Sequence, residues 1–127
     1  MRFLCSQHLI MEDRKKILII DDEIDLCLLL KDYFVRKSYD VAVVHTLEEG
    51  KKLLYDMKPD ILFLDNNLPD GTGWSNAQKI AVDLPLIYII LISAFHPQQP
   101  AMPAKANYRA IEKPISLADL DKQFAEL

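Results

Sequence analysis

Acidic residues directly follow two of the apolar runs in the sequence. Asp21 and Asp22 come after one run, and Asp65 comes after another. Ser93 and Lys113 follow two later runs. Crowded carboxylates repel one another unless a cation neutralises them, and carboxylate, carbonyl and water oxygens are the ligands that Mg²⁺ prefers. Phosphoryl transfer requires that the reacting groups be positioned and that the charge on the phosphoryl oxygens be neutralised. It is therefore suited to a site that combines a nucleophilic carboxylate, a hard metal ion, an ammonium group and a hydroxyl.

Apolar runs of strand length alternate along the chain with segments of helical periodicity. The strand-like runs are residues 17–20, 41–44, 61–64, 86–92 and 108–112, and the helix-like segments are 23–37, 47–57, 74–82 and 117–127. Such alternation is typical of a parallel sheet with helices on both faces. Because crossover connections are right-handed, the simplest topology is a doubly wound, five-stranded α/β fold with the flavodoxin-like strand order 2-1-3-4-5.

The carboxyl ends of parallel strands meet at one edge of a sheet, and the sites of such folds lie there. Asp21 and Asp22 end the first strand and Asp65 ends the third, so this strand order makes them neighbours. We therefore expect one acidic pocket, with Ser93 and Lys113 arriving from the fourth and fifth strands.

Segment 97–106 follows the fourth strand, where the alternation requires another helix. It contains three of the 7 prolines in the chain, and a proline in a helix interior costs about 3 kcal/mol. This fourth helix is therefore predicted to be short or irregular. Elsewhere Thr46 and Ser116, each followed three positions later by an acidic residue, are predicted to cap the helices that begin after them.

The composition is that of one globular domain, with 127 residues of which 50% are hydrophobic and 27% charged. There are 15 basic and 19 acidic residues, and the net charge of −4 argues against binding nucleic acid or a membrane through bulk charge. Cys5 and Cys27 make neither a disulfide framework nor a zinc-binding pattern. Because no apolar run reaches the roughly 18 residues that span a bilayer and no signal peptide is present, we expect a cytoplasmic protein.

Four segments together resemble the receiver domain of bacterial two-component response regulators. They are residues 16–23 (KILIIDDE), 59–73 (PDILFLDNNLPDGTG), 93–94 (SA) and 113–114 (KP). Each segment alone is a weak signal, but all four in this order at predicted strand ends are specific. The resemblance covers residues 15–127, which predicts a receiver domain there and an N-terminal extension at residues 1–14.

The resemblance implies that Asp65 is the phosphoacceptor, which takes a phosphoryl group from a phosphohistidine of a histidine kinase or phosphotransfer protein. It also implies a Mg²⁺ site in which Asp22, Asp65 and the backbone carbonyl of Asn67 bind the ion directly. Asp21 would act mainly through a metal-bound water.

The other site residues have implied roles toward the phosphoryl group. Ser93 would hydrogen-bond a phosphoryl oxygen, and Lys113 would pair with Asp65 before the transfer and with the phosphoryl group after it. Pro114 is expected to follow Lys113 through a cis peptide bond. Such a protein is a switch rather than an enzyme: it catalyses only its own phosphorylation and dephosphorylation, and a phosphorylation-dependent dimer is one expected consequence.

Two features depart from the receiver pattern. Receivers usually carry an aromatic residue three positions before the lysine, and here that position is Ala110, with Tyr108 on the same face of the strand. The prolines of segment 97–106 fall where most receivers have a helix that faces output partners. We therefore hypothesise that signalling from this face is altered, while phosphorylation itself is not affected.

Two other functions fit part of the pattern. A phosphatase of the haloacid dehalogenase type also places a nucleophilic aspartate after an apolar strand, but it needs a second aspartate two residues later as general acid. That position is Asn67, whose amide cannot donate and recover a proton. The other alternative is a pseudo-receiver, an interaction module that has lost phosphorylation. The complete acidic set and Lys113 argue against it.

Overall fold

The computed structural model describes residues 14–95 and 97–127. In these residues five strands of the main sheet alternate with four α-helices. The strands are β1 (Lys16–Ile20), β2 (Asp40–Val44), β3 (Ile61–Asp65), β4 (Tyr88–Ser93) and β5 (Asn107–Glu112). The helices are α1 (Ile24–Arg36), α2 (Leu47–Met57), α3 (Ala77–Asp83) and α4 (Leu117–Phe124). Between β3 and α3 lie a short hairpin, in which Asn67–Leu68 pairs with Gly71–Thr72, and a 3₁₀ turn at Gly73–Asn76. We call the former the 67–72 hairpin.

The five strands form one parallel sheet in the order β2-β1-β3-β4-β5. This confirms the predicted doubly wound topology. Within the sheet Ile20 lies opposite Leu64, and Asp65 lies opposite Ile92. Strands β1, β3 and β4 therefore end at nearly the same level, and the residues that follow them emerge at one edge.

Helices cover both faces of the sheet, which explains why its central strands are continuous apolar runs. On one face Phe63 packs with Phe34 of α1 and Phe124 of α4. The ring centroids lie 5.6 Å apart for Phe34 and Phe63 and 5.7 Å apart for Phe63 and Phe124. The other face packs against α2 and α3, and its buried residues include Leu18, Leu62, Leu64, Leu54 and Ile80.

Thr46 and Ser116 cap helices, as their positions predicted. Ser116 Oγ accepts the Asp119 N–H and the Asp119 carboxylate accepts the Ser116 N–H, which completes a capping box. The Thr46 hydroxyl accepts the Glu49 N–H at 3.2 Å and donates to the Glu49 carboxylate at 3.1 Å. At Thr46 the capping box is therefore present only in its first half.

The start of β4 differs from the prediction. The strand begins at Tyr88 rather than at residue 86, because the Ile87 N–H donates to the Leu84 carbonyl at 3.1 Å in a turn. Leu86 lies in this turn and is 95% exposed. An apolar run alone therefore placed the strand boundary two residues too early.

One helix begins later than predicted, and the last helix ends earlier than predicted. The segment expected to be helical from residue 74 starts as the 3₁₀ turn, and regular α-helix begins at Ala77. The last helix, predicted over 117–127, ends at Phe124; its first residue, Leu117, is exposed, whereas Leu120 and Phe124 are buried.

Segment 97–106 contains no helix, in agreement with its prolines. The Ala106 N–H donates to the carbonyl of Pro103 at 3.0 Å in a turn before β5. The predicted N-terminal extension, residues 1–14, lies outside the described residues except for Arg14. Among the helices of the described ranges, none has both the length and the apolar character needed to cross a bilayer.

Candidate functional site

Three aspartates meet where β1 and β3 end. Asp21 and Asp22 follow β1, and Asp65 is the last residue of β3. Each offers a carboxylate oxygen within 4.8 Å of those of the other two. Asp21 and Asp65 are buried, whereas Asp22 is exposed. The structure thus forms one acidic pocket from the three residues, with an open side at Asp22.

Lys113 brings an ammonium group into this pocket from the end of β5. Its Nζ lies 3.0 Å from an oxygen of Asp21, 3.2 Å from one of Glu23 and 3.5 Å from one of Asp65. The Lys113 side chain is only 13% exposed. The peptide bond to Pro114 is cis, as the resemblance implied. One partly buried cation is therefore shared among three carboxylates.

Ser93 ends β4, the strand beside β3, and is buried. Its Oγ accepts a hydrogen bond from the Phe95 N–H at 3.2 Å. The register places Ile92 opposite Asp65, so Ser93 comes one residue beyond the level of Asp65. The Ser93 carbonyl accepts the Lys113 N–H at 2.8 Å, which ties the ends of β4 and β5 together.

The chain after Asp65 is fixed by close backbone contacts. The Gly73 N–H donates to the Asn66 carbonyl at 3.0 Å, and a Cβ at Gly73 would lie only 2.0 Å from the Asp65 carbonyl oxygen. Trp74 donates its backbone N–H to the Asn66 side chain at 3.2 Å and its indole N–H to the Leu64 carbonyl at 3.1 Å. Only glycine at position 73 allows the backbone to come this close to the Asp65 carbonyl. These contacts hold in place the strand end that carries Asp65.

Burial raises the pKa of Asp65 to about 6; nearby Asp21 adds to this rise, while Lys113 and the Asn67 N–H oppose it. Burial also raises the pKa of Asp21, against the hydrogen bond from the Glu23 N–H and the charge of Lys113. Burial alone would lower the pKa of Lys113, but Asp21, Asp65 and Glu23 raise it overall. The pocket therefore holds more buried negative charge than one lysine neutralises.

The donor set fits a hard divalent cation. Within the described residues, neither buried carboxylate oxygen of Asp65 has a hydrogen bond of good geometry, although the Asn67 N–H and the Lys113 ammonium group lie nearby. A buried carboxylate without a full set of donors is costly unless a cation offsets its charge. Oxygen ligands from Asp21, Asp22 and Asp65 match the preference of Mg²⁺. Asn67, expected to add its backbone carbonyl, begins the 67–72 hairpin two residues after Asp65.

The family model of the response regulator receiver domain matches residues 17–125. The chain belongs to this family. Its curated relatives include response regulator protein PilR of Pseudomonas aeruginosa, which is 32% identical over 109 residues covering 84% of this chain and 24% of PilR. Chemotaxis protein CheY of Thermotoga maritima is 32% identical over 85 residues, which cover 66% of this chain and 71% of CheY. The receiver domain spans less than half the length of the first curated relatives that it matches.

Solved structures support the same assignment. Response regulator protein TrrA of Thermotoga maritima, crystallised in complex with Mg(2+)-BeF, is 25% identical, with a TM-score of 0.72 and coverage of 88% of this chain and 97% of TrrA. TrrA has also been crystallised in complex with the histidine kinase ThkA.

This receiver domain has a cavity where the family pattern has an aromatic side chain. The cavity has a volume of about 230 Å³ and is bordered by Ala110, Ser93, Trp74 and Phe95 among others. Tyr108 does not line it and is partly exposed. The small Ala110 side chain therefore leaves open space beside Ser93, and Tyr108 does not fill it.

Glu23 and His45 also contribute to the site, although sequence patterns did not single out a role for either. Glu23 shares Lys113 with the aspartates. His45 follows β2, and its Nδ1 lies 2.9 Å from the backbone carbonyl oxygen of Asp21. Both residues follow neighbouring strands, so the strand-end rule would have placed them near the aspartates, although it does not predict the contacts that they make.

Proposed function

We propose that this receiver domain is the phosphoacceptor switch of a two-component signal transduction system, with Asp65 as the residue that accepts the phosphoryl group. The observation that supports this most directly is the state of the Asp65 carboxylate. It is buried, accepts no hydrogen bond of good geometry within the described part of the chain, and lies beside Asp21, Asp22 and the ammonium group of Lys113. A carboxylate oxygen that is not engaged in a well-formed hydrogen bond is available to attack phosphorus.

In the proposed reaction an oxygen of Asp65 attacks the phosphorus of a phosphohistidine. The O–P bond forms as the P–N bond breaks, and the electron pair of that bond returns to the imidazole nitrogen. Asp22, Asp65 and the Asn67 carbonyl would hold Mg²⁺, with Asp21 acting through water. When bound, the ion supplies positive charge toward the phosphoryl oxygens.

Lys113 and Ser93 would stabilise the transferred group. The Lys113 ammonium group lies 3.5 Å from Asp65, so it is positioned to pair with a phosphoryl oxygen attached there. The Ser93 hydroxyl, which now accepts the Phe95 N–H, has a proton to donate to another phosphoryl oxygen. Asn67 offers no acid for turnover of other phosphate esters, so the proposed chemistry stops at the domain's own phosphorylation and dephosphorylation.

The proposed phosphodonor is a histidine kinase or a phosphotransfer protein. The relative TrrA was crystallised in complex with the histidine kinase ThkA, and a partner of that class fits a pocket that is open at Asp22. Dimerisation on phosphorylation remains a prediction, which sedimentation of the domain with and without beryllofluoride, a phosphoryl analogue, would check.

Phosphorylation by a small donor tests the proposal directly. The protein is incubated with phosphoramidate or acetyl phosphate in Mg²⁺ or in EDTA, and its intact mass is measured. We expect a gain of one phosphoryl group that requires Mg²⁺ and is absent in Asp65→Asn. Asp56→Asn, which removes an exposed aspartate of α2, is the matched control and should be phosphorylated normally. A wild-type protein that gains no mass with either donor would overturn the proposal in favour of an interaction module.

A further inference from the structure

Asp70 joins the loop after the proposed phosphoacceptor to a helix on the other side of the pocket. One oxygen of its carboxylate accepts the Leu47 N–H at 2.7 Å, and the other accepts the Glu48 N–H at 2.9 Å. These are the first two residues of α2. The two bonds lower the pKa of Asp70, so the carboxylate is charged at neutral pH and the bonds are of the stronger, charge-assisted kind.

The position of Asp70 in the 67–72 hairpin connects these bonds to the proposed metal site. Asn67 begins the hairpin and pairs with Thr72, while Leu68 pairs with Gly71. Asp70 is in the turn between these pairs, three residues after Asn67. The bonds to α2 therefore hold the turn end of the hairpin, and the contacts of Gly73 and Trp74 with Asn66 hold its other end.

Little else holds the turn end in place. Leu68 is buried, but Pro69 and Gly71 are exposed. Two-residue strands are too short to be stable without support from their surroundings. Gly71 lies against α2 so closely that a Cβ there would lie 3.2 Å from a side-chain carbon of Leu47. Within the described residues, the carboxylate of Asp70 thus provides the hydrogen bonds between the hairpin and α2.

From these contacts we infer that Asp70 is a positioning residue for the divalent cation: by fastening the 67–72 hairpin to α2, it keeps Asn67 in place beside the aspartate pocket. This inference rests on the proposed function, because it presupposes that the pocket of Asp21, Asp22 and Asp65 takes Mg²⁺. Asp70 does not touch the ion. Its effect on Mg²⁺ affinity passes through the backbone of the hairpin.

Thr46 provides a matched control, because it caps the same helix through Glu49 and not through the residues that bond to Asp70. Its hydroxyl accepts the Glu49 N–H at 3.2 Å. Thr46→Ala and Asp70→Asn both remove capping interactions from the start of α2, but only Asp70→Asn weakens its attachment to the hairpin. Glu48→Gln is the control for charge, since it removes an exposed negative charge from the same turn of α2. A purely electrostatic effect of Asp70 would also fade at high salt.

The experiment measures Mg²⁺ binding to the full chain by following amide NMR signals during a titration, at low and at high salt, with thermal unfolding in EDTA for every variant. We expect Asp70→Asn to raise the Mg²⁺ dissociation constant about tenfold at both salt concentrations, the lower end of the range for residues that orient metal ligands. Thr46→Ala and Glu48→Gln should leave it near the wild-type value, although Thr46→Ala lowers the unfolding temperature. Asp70→Ser, which is shorter and uncharged, should behave as Asp70→Asn does.

Three results would overturn the inference: an unchanged Mg²⁺ affinity in both Asp70 variants, an equal loss of affinity in Thr46→Ala, or a loss that disappears at high salt. Failure of the proposed function looks different. In that case the wild-type protein itself binds no Mg²⁺ and Asp22→Asn changes nothing, which removes the basis of both proposals. A wild-type protein that binds Mg²⁺ and is phosphorylated, while the Asp70 variants bind Mg²⁺ equally well, removes the role of Asp70 alone.

Discussion

The ammonium group of Lys113 lies 3.5 Å from the carboxylate of Asp65, although the strands that carry these residues are separated in the sheet by β4. The long lysine side chain crosses the end of β4 and reaches the pocket from the far side. It also lies 3.0 Å from Asp21. Lys113 therefore stabilises the fold as well as serving the proposed chemistry, because its positive charge offsets the cost of burying two carboxylates.

Replacing Lys113 by Met should destabilise the protein in the absence of divalent cations. The change leaves Asp21 and Asp65 buried without their positive partner, and removing one partner of a buried ion pair costs about 3–5 kcal/mol. Urea unfolding at neutral pH in EDTA measures the loss. Mg²⁺ should restore part of it, because a bound cation replaces the missing charge.

Lys52→Met is the control for loss of a lysine. Lys52 pairs with Glu48 at 3.7 Å, and both side chains are exposed, so its removal should change the free energy of unfolding by at most about 0.5 kcal/mol. Equal losses for the two lysines would contradict the buried pairing of Lys113.

Replacing Asp65 by Asn should stabilise the metal-free protein at neutral pH. The pKa of Asp65 is raised from 3.8 to about 6, chiefly by burial, so its charged form costs stability. A shift of this size corresponds to roughly 2–3 kcal/mol. Urea unfolding in EDTA at pH 7 should therefore give a larger free energy of unfolding for Asp65→Asn than for the wild-type protein.

The raised pKa of Asp65 also predicts how the difference in unfolding free energy between Asp65→Asn and the wild-type protein depends on pH. Between about pH 4 and pH 6 the folded state keeps a proton on Asp65 that the unfolded state releases, so the wild-type protein gains stability as the pH falls through this range. Asn cannot titrate, and the advantage of Asp65→Asn should shrink as the pH falls from 7 to 4.5. An advantage that is constant across this range would show that Asp65 titrates at its ordinary pKa.

Strand-end reasoning was sufficient to place the acidic pocket. Asp21, Asp22 and Asp65 each follow an apolar run, and the parallel order of the strands then brings them together. Lys113 could be assigned in the same way. The fold follows from the same apolar runs because both faces of the sheet are covered, which leaves few topologies open.

Loop contacts could not be predicted in this way. Asp70 bonds to α2 residues that are 22 and 23 positions away, and only the path of the 67–72 hairpin brings them together. Glu23 is a partner of Lys113 because of the conformations of two long side chains. Leu86 is apolar and yet lies in an exposed turn. Periodicity describes regular elements, and it carries no information on such contacts between loops.

Replacing Gly73 by Ala should disturb the strand end that carries Asp65. The added Cβ would lie 2.0 Å from the Asp65 carbonyl oxygen and 3.0 Å from a side-chain carbon of Leu64, so the backbone must move. We expect a loss of about 1–3 kcal/mol in the free energy of unfolding, together with slower phosphorylation by phosphoramidate. Gln78→Ala, at an exposed position of α3, is the control and should change neither quantity. Unchanged stability in Gly73→Ala would mean that the loop has another conformation available.

The cavity beside Ala110 predicts which residues change their environment when the domain is activated. A phosphoryl oxygen that accepts the Ser93 hydroxyl proton would draw the hydroxyl toward Asp65 and so alter the hydrogen bond that it accepts from the Phe95 N–H at 3.2 Å. The 230 Å³ cavity that both residues border gives Phe95 room to move. We therefore expect beryllofluoride with Mg²⁺ to shift the NMR signals of the Phe95 amide and of the indole of Trp74, the single tryptophan of the chain.

In the same spectra segment 97–106 should keep non-helical carbon shifts, because its prolines cannot join a regular helix. Asp65→Asn, which lacks the carboxylate proposed to accept the phosphoryl group, should show none of these changes. Large shifts confined to segment 97–106, with helical carbon values, would refute the hypothesis that this face signals differently from that of other receivers. Shifts at Phe95 and Trp74 that depend on Asp65 would support it, since they begin at the space that Ala110 leaves open.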